Sequence, residues 1–144
     1  MKTCLLVLML VLLVAPRPDA AAETVRAFRV IVHPKNPRTK LDRRFISDVF
    51  LKKRTRWGDD SLVTPVDLGP KSSVRAAFSS DVLDRSVAAV RRYWTQLVFS
   101  GRGVPPAELA TDADVVKYVS SHVGAIGYVS TSTDVTGTKV IVLE

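Results

Sequence analysis

Cysteine is nearly absent: Cys4 is the only one in the 144-residue chain. A single thiol excludes an intrachain disulfide, a Cys-x-x-Cys redox pair and a cysteine-built metal site. Histidine is almost as scarce. His33 and His122 stand apart, without His-x-x-x-His or His-x-Glu spacing, so no metal-ligand motif is offered. Gly-x-Ser-x-Gly elbows and P-loops are missing as well. Asp59-Asp60 and Asp112-x-Asp114 are adjacent carboxylates, but turn chemistry and helix-start electrostatics account for them. No nucleophile–base pair can be assembled, so catalytic residues, metal ligands and cofactors are all read as none. Internal repeats and low-complexity tracts are lacking, and the length suits one domain.

Long apolar runs are also lacking, with one exception from Cys4 to Ala15. It is shorter than the roughly 20 apolar residues a membrane-spanning helix needs. Lys2 precedes it, Pro16 and Pro18 break it, and Ala20-Ala21-Ala22 follows. A basic start, a short apolar run and a small-residue site make a secretory signal over residues 1–22, cleaved after Ala22. Cys4 lies at the start of the run, not after the cleavage site, which argues against a lipoprotein. The expected product is a periplasmic domain of residues 23–144, with no membrane insertion after cleavage. Cleavage removes Lys2, Arg17 and Asp19, so the net charge falls from +7 to +6, and the only cysteine goes too. The cations are spread over Arg43-Arg44, Lys52-Lys53-Arg54 and Arg91-Arg92 and read as solvated helix faces. They are not interleaved with aromatics, and an exported chain rarely meets nucleic acid, so no nucleic-acid partner is expected.

What remains alternates between strands and helices. Val25 to His33, with its core Val30-Ile31-Val32, reads as a buried strand, stopped by Pro34 and Pro37. Asp42 is a candidate cap for a helix burying Phe45, Ile46, Val49 and Phe50, with Lys52, Lys53 and Arg54 near its end. Leu62 to Val66 suits a short strand. Ser72 or Ser73 caps a helix burying Val74, Ala77, Phe78 and Val82, and Val87 to Phe99 forms another. Thr111 or Asp112 opens a fourth helix with Val115, Val116 and Val119 inward, and Gly124 lies near its C-cap position. Ala125 to Val129 and Lys139 to Leu143 are the last strands. This order implies an α/β domain with a mostly parallel or mixed sheet.

One segment suggests binding. Gly69-Pro70-Lys71-Ser72-Ser73-Val74-Arg75 is a loop feeding a helix N-terminus. Free amides, a positive dipole end, the two hydroxyls and the cations of Lys71 and Arg75 suit an oxyanion. The same serines serve equally as plain N-caps.

Several segments together resemble the phosphate ABC transporter substrate-binding proteins. Val30-Ile31-Val32-His33-Pro34-Lys35-Asn36-Pro37, then Ile46-Ser47-Asp48-Val49-Phe50-Leu51-Lys52-Lys53 and Trp57, resemble that family's strand, Asn-Pro segment, helix and tryptophan. Lys52 stands where the family has glycine. Gly124-Ala125-Ile126-Gly127-Tyr128 is similar to its late strand, and Val74 to Phe78 to the helix after its phosphate loop. The resemblance implies a single lobe of the type 2 periplasmic binding protein kind, a small mixed sheet flanked by about four helices. It also implies a phosphate-like ligand at Lys71, Ser72, Ser73 and Arg75. The family loop Gly-Ser-Gly-Thr keeps its serine at Ser72, but has Ser73 for glycine, Val74 for threonine and Leu68 where an arginine often precedes it.

Two roles follow for such a lobe. It is a non-catalytic solute-binding module holding phosphate or a similar oxyanion weakly, at millimolar scale, because one lobe supplies few donors and no second jaw. Alternatively, it is an accessory or protein-interaction module, its cleft completed by a protein partner or a second copy. Trp57 or Tyr128 is then the expected apolar residue on the open face.

Overall fold

A computed structural model describes residues 26–144, so the expected signal segment 1–22 and its cleavage site lie outside the described residues. The apolar run Phe28–Val32 forms β1, whose residues other than Arg29 are fully buried. Such a strand must be covered on both faces, and it lies inside the sheet. Six strands lie in the order β2-β6-β1-β5-β3-β4: β2 (Lys40–Leu41), β3 (Thr64–Leu68), β4 (Ala107–Leu109), β5 (Ala125–Ser130) and β6 (Lys139–Leu143) join β1. β1 runs antiparallel to both neighbours, pairing Val30 with Tyr128 of β5 and with Ile141 of β6. The remaining pairs are parallel. The sheet is therefore mixed, flanked by α1 (Arg43–Phe50), α2 (Ser73–Leu83), α3 (Val87–Phe99) and α4 (Asp112–Ser121).

Each helix begins where a side-chain oxygen can accept an orphan amide. Asp42, Ser72, Ser86 and Thr111 are the N-caps, and Thr111 with Asp114 completes a capping box. On one face of the sheet, α1 and α2 bury Phe50 and Phe78 against Tyr128. The Phe78 and Tyr128 rings stack at 3.9 Å, with Phe28 edge-on to Phe78 at 5.4 Å. On the other face, α4 lays Val115 and Val119 onto β5.

Some details depart from the sequence reading. The strand expected at Leu62 to Val66 lies at Thr64–Leu68, because the buried centre continues through Val66, Asp67 and Leu68. Leu62 is 62% exposed. A carboxylate inside a strand breaks the apolar pattern, so the pattern stops too early. The edge strands β2 and β4 are only two and three residues long and carry no periodic signal. Gly124 is not a helix cap: α4 ends on His122 in extended conformation. Glycine is required at 124 because a Cβ would collide with the Leu62 carbonyl oxygen. Lys52, just past α1, sits at φ +52°, in the left-handed region that favours glycine.

Candidate functional site

In an open α/β sheet the parallel strands deliver their loops at their carboxyl edge. β3 reaches that edge at Leu68, and the chain turns through Gly69 to Lys71 into α2. The turn is fixed by its own backbone: the Gly69 amide donates to the Leu109 carbonyl (3.2 Å) and the Ser72 amide to the Gly69 carbonyl (3.0 Å). Ser72 is the N-cap, its Oγ accepting from the Arg75 amide at 3.2 Å. Among the described residues, no hydrogen bond engages the amides of Ser73 or Val74. The first turn of α2 also contains no acidic residue, so its positive dipole end is not compensated locally. Lys71 and Ser73 are exposed beside it and Ser72 is half-buried.

Arg75 follows a different course. Its side chain is 5% exposed, and its guanidinium turns into the protein. Nη1 donates to the Leu68 carbonyl (2.7 Å) and to Glu108 Oε1 (2.6 Å), while Nη2 lies 3.3 Å from Asp67 Oδ2. Burial opposes the charge on Arg75, but the hydrogen bond it donates to Glu108 and the charge of Asp67 outweigh it and raise its pKa. Asp67 is buried too, accepting from the Leu68 amide at 2.9 Å and from the Tyr128 hydroxyl. Burial pushes its carboxyl above the usual range, against the pull of Tyr128 and Arg75. The Tyr128 hydroxyl is pushed up as well, by burial and by Asp67, so it stays a proton donor. The cation that the sequence offers to an external anion is thus already held by two internal carboxylates.

The structure therefore brings Lys71, Ser72 and Ser73 together around one opening turn and sends the Arg75 side chain below it. Asp67 and Glu108 are its unforeseen partners, with the Tyr128 hydroxyl donating to Asp67. The Asp67 position, an ionisable residue inside an apolar strand, is a signal that could have been read. The pairing with Glu108, 33 residues beyond Arg75, has no local signal. Trp57 and Tyr128, expected on an open face, are buried. Trp57 stacks on Phe45 at 5.7 Å and donates Nε1–H to the Gly124 carbonyl, and Tyr128 is enclosed by the aromatic cluster. The solvent-facing large apolar residues include Phe99, Val104 and Leu62 instead. Among the described residues, no group of three or more His, Cys, Asp or Glu could hold a metal, and no helix is long and apolar enough to cross a membrane.

No protein-family model matches the sequence, and no curated protein sequence matches it. Solved structures do share its fold. A phosphate ABC transporter substrate-binding protein from Clostridium perfringens, solved with bound phosphate, superposes with a TM-score of 0.64 at 20% identity. It covers 81% of this chain and 44% of its own. An ABC-type phosphate transport receptor from Vibrio cholerae gives 0.64 at 17% identity, over 81% and 46%. PstS from Borrelia burgdorferi gives 0.58 at 11% identity, over 82% and 47%. This chain thus spans less than half the length of each of these three structures, and it has the fold of one lobe of such a binding protein.

Proposed function

We propose that this chain is a non-catalytic, solute-binding-like module of the periplasm that holds phosphate or a similar oxyanion at the opening turn of α2. The observation that carries this reading is that turn: two amides without an internal partner, at an uncompensated dipole end, beside Lys71, Ser72 and Ser73. The fold shared with phosphate-binding proteins supports the ligand class. With the donors of this one turn, affinity is expected at about millimolar scale. Arg75 joins the site only by exchanging Glu108 for the anion, because Nη1 already donates to that carboxylate. Export and cleavage after Ala22 belong to the same proposal. A periplasmic product beginning at Glu23, identified by mass, checks them.

A phosphate titration followed by amide NMR tests the site. The amides of Ser73 and Val74 are expected to shift with saturation, sulfate to act similarly, and Glu108→Gln to tighten binding by freeing Arg75. Unmoved amides at tens of millimolar phosphate would falsify the anion site.

A second reading is favoured by the internal neutralisation of Arg75, whose guanidinium is held by Asp67 and Glu108 and not offered to an external anion. In it the lobe is an accessory module whose open side is completed by a protein partner or a second copy. Light scattering across a concentration series, with cross-linking from Ser73, distinguishes a partnered module from a solitary one.

A further inference from the structure

The last turn of α3 places apolar side chains in water. Val98 is 49% exposed and Phe99 88%, and Val104 in the following loop is 63% exposed. Only Val90 and Trp94 of that helix are fully buried. Beside this patch lies a cavity of about 300 Å³ between α3 and the approach to β4, walled by Trp94, Val98, Pro105 and Pro106. Arg75, ion-paired with Asp67 and Glu108, lines it with both of those carboxylates, and the exposed Arg91 lines it from α3.

Three features define what fits. First, the apolar surface continues past the cavity mouth onto Phe99 and Val104, more than a small ligand would cover and of the kind that marks a protein contact. Second, Glu108 spends one oxygen on Arg75 while its side chain is 47% exposed. Its other oxygen is an acceptor for an N–H or O–H arriving through an apolar passage, which suits the tip of a Trp or Tyr ring. Third, Arg91, Arg92 and Arg102 are exposed around the patch, and none is ion-paired among the described residues. Helical spacing puts Arg91 over the cavity with Thr95 and Val98, and Arg92 on the Phe99 side. A positive rim selects carboxylates and repels a second copy carrying the same cations.

We propose that this cavity and the Phe99 patch dock an acidic segment of a partner protein. Its Trp or Tyr anchor enters against Trp94 with the ring tip on Glu108, and flanking carboxylates meet Arg91 and Arg92. This rests on the second reading, that the lobe docks a protein, and names where and with what chemistry.

The probe is the peptide acetyl-Asp-Glu-Gly-Trp-Leu-Asp-Glu-amide, labelled and titrated with the protein by fluorescence anisotropy. Saturable binding weakened by salt is expected. Phe99→Ser and Arg91→Glu each should weaken it by about tenfold, with circular dichroism unchanged because both side chains are exposed. The Trp94 indole N–H signal is expected to shift. Any of four results overturns the inference: no binding at about 1 mM peptide; equal binding when the acidic residues are lysines; equal affinity for N-acetyltryptophan amide; or a dimer that Phe99→Ser dissolves. A failed peptide alongside a partner cross-linked through Ser73 removes this docking site and leaves the second reading standing.

Discussion

Lys52 shows how much a single backbone angle can cost. At φ +52° its Cβ crowds the backbone, a penalty of roughly 1–2 kcal/mol for an L-residue. Glycine escapes that penalty but gives back about 0.5–1 kcal/mol through greater freedom in the unfolded chain. Lys52→Gly is therefore expected to stabilise the protein by about 0.5–1 kcal/mol, read as a higher urea midpoint at unchanged slope. Asp67 has the opposite character, a buried carboxyl whose pKa is raised above its ordinary 3.8. The folded state then holds a proton that the unfolded state has released, and stability falls as pH rises through that window. Its contribution is complete below the unfolded pKa and is lost as pH passes the folded one. As pH rises above the ordinary carboxyl value of 3.8, the wild type should lose stability relative to Asp67→Asn, measured by denaturant titration at each pH. At this scale the caps were legible: Asp42 was singled out and Ser72 and Thr111 were among paired candidates. The Asp67–Arg75–Glu108 cluster was not, because it is made by residues far apart along the chain.

Helices were easier to read than strands, because each carries a periodic apolar face and three of the four a start signal singled out in the sequence, Ser86 before α3 being the cap that was passed over. α3 runs from Val87 to Phe99 as its pattern implies, and α2 starts behind the serine expected to cap it. Strand β3 was misplaced by two residues because Asp67 interrupts its apolar run, and the pattern does not show that Tyr128 and Arg75 accommodate that charge. β2 and β4 exist through pairing with β6 and β3, not through any preference of their own. The serines opening α2 have separable roles. Ser72→Ala should cost about 1 kcal/mol by leaving the Arg75 amide without its acceptor. Ser73→Ala, at an exposed hydroxyl, should leave stability within about 0.5 kcal/mol and weaken phosphate binding. Paired urea curves and phosphate titrations on the two variants check this division.

The whole molecule is a sheet covered unequally by helices, and the closeness of α4 decides how well it packs. A Cβ at Gly127 would lie 2.6 Å from Val115 Cγ1 and 3.1 Å from Val66 Cγ2. Valine is stiff at χ1, so α4 and the sheet would have to separate. Gly127→Ala is expected to cost about 1–3 kcal/mol, and Val115→Ala in the same chain to recover part of it, a non-additivity measurable by a double-mutant cycle. The sequence by itself determined the α/β class, the four helices, the central strands and the turn feeding α2. Those depend on periodicity and capping, which act over a few residues. Only the tertiary structure decided that β1 runs against its neighbours, that Trp57 and Tyr128 are core while Phe99 is surface, and that Arg75 is neutralised from within. Each is settled by which distant segments share a face and which buried charges must find partners there. Local pattern cannot specify that, because burial and electrostatic pairing exist only once the chain has closed on itself.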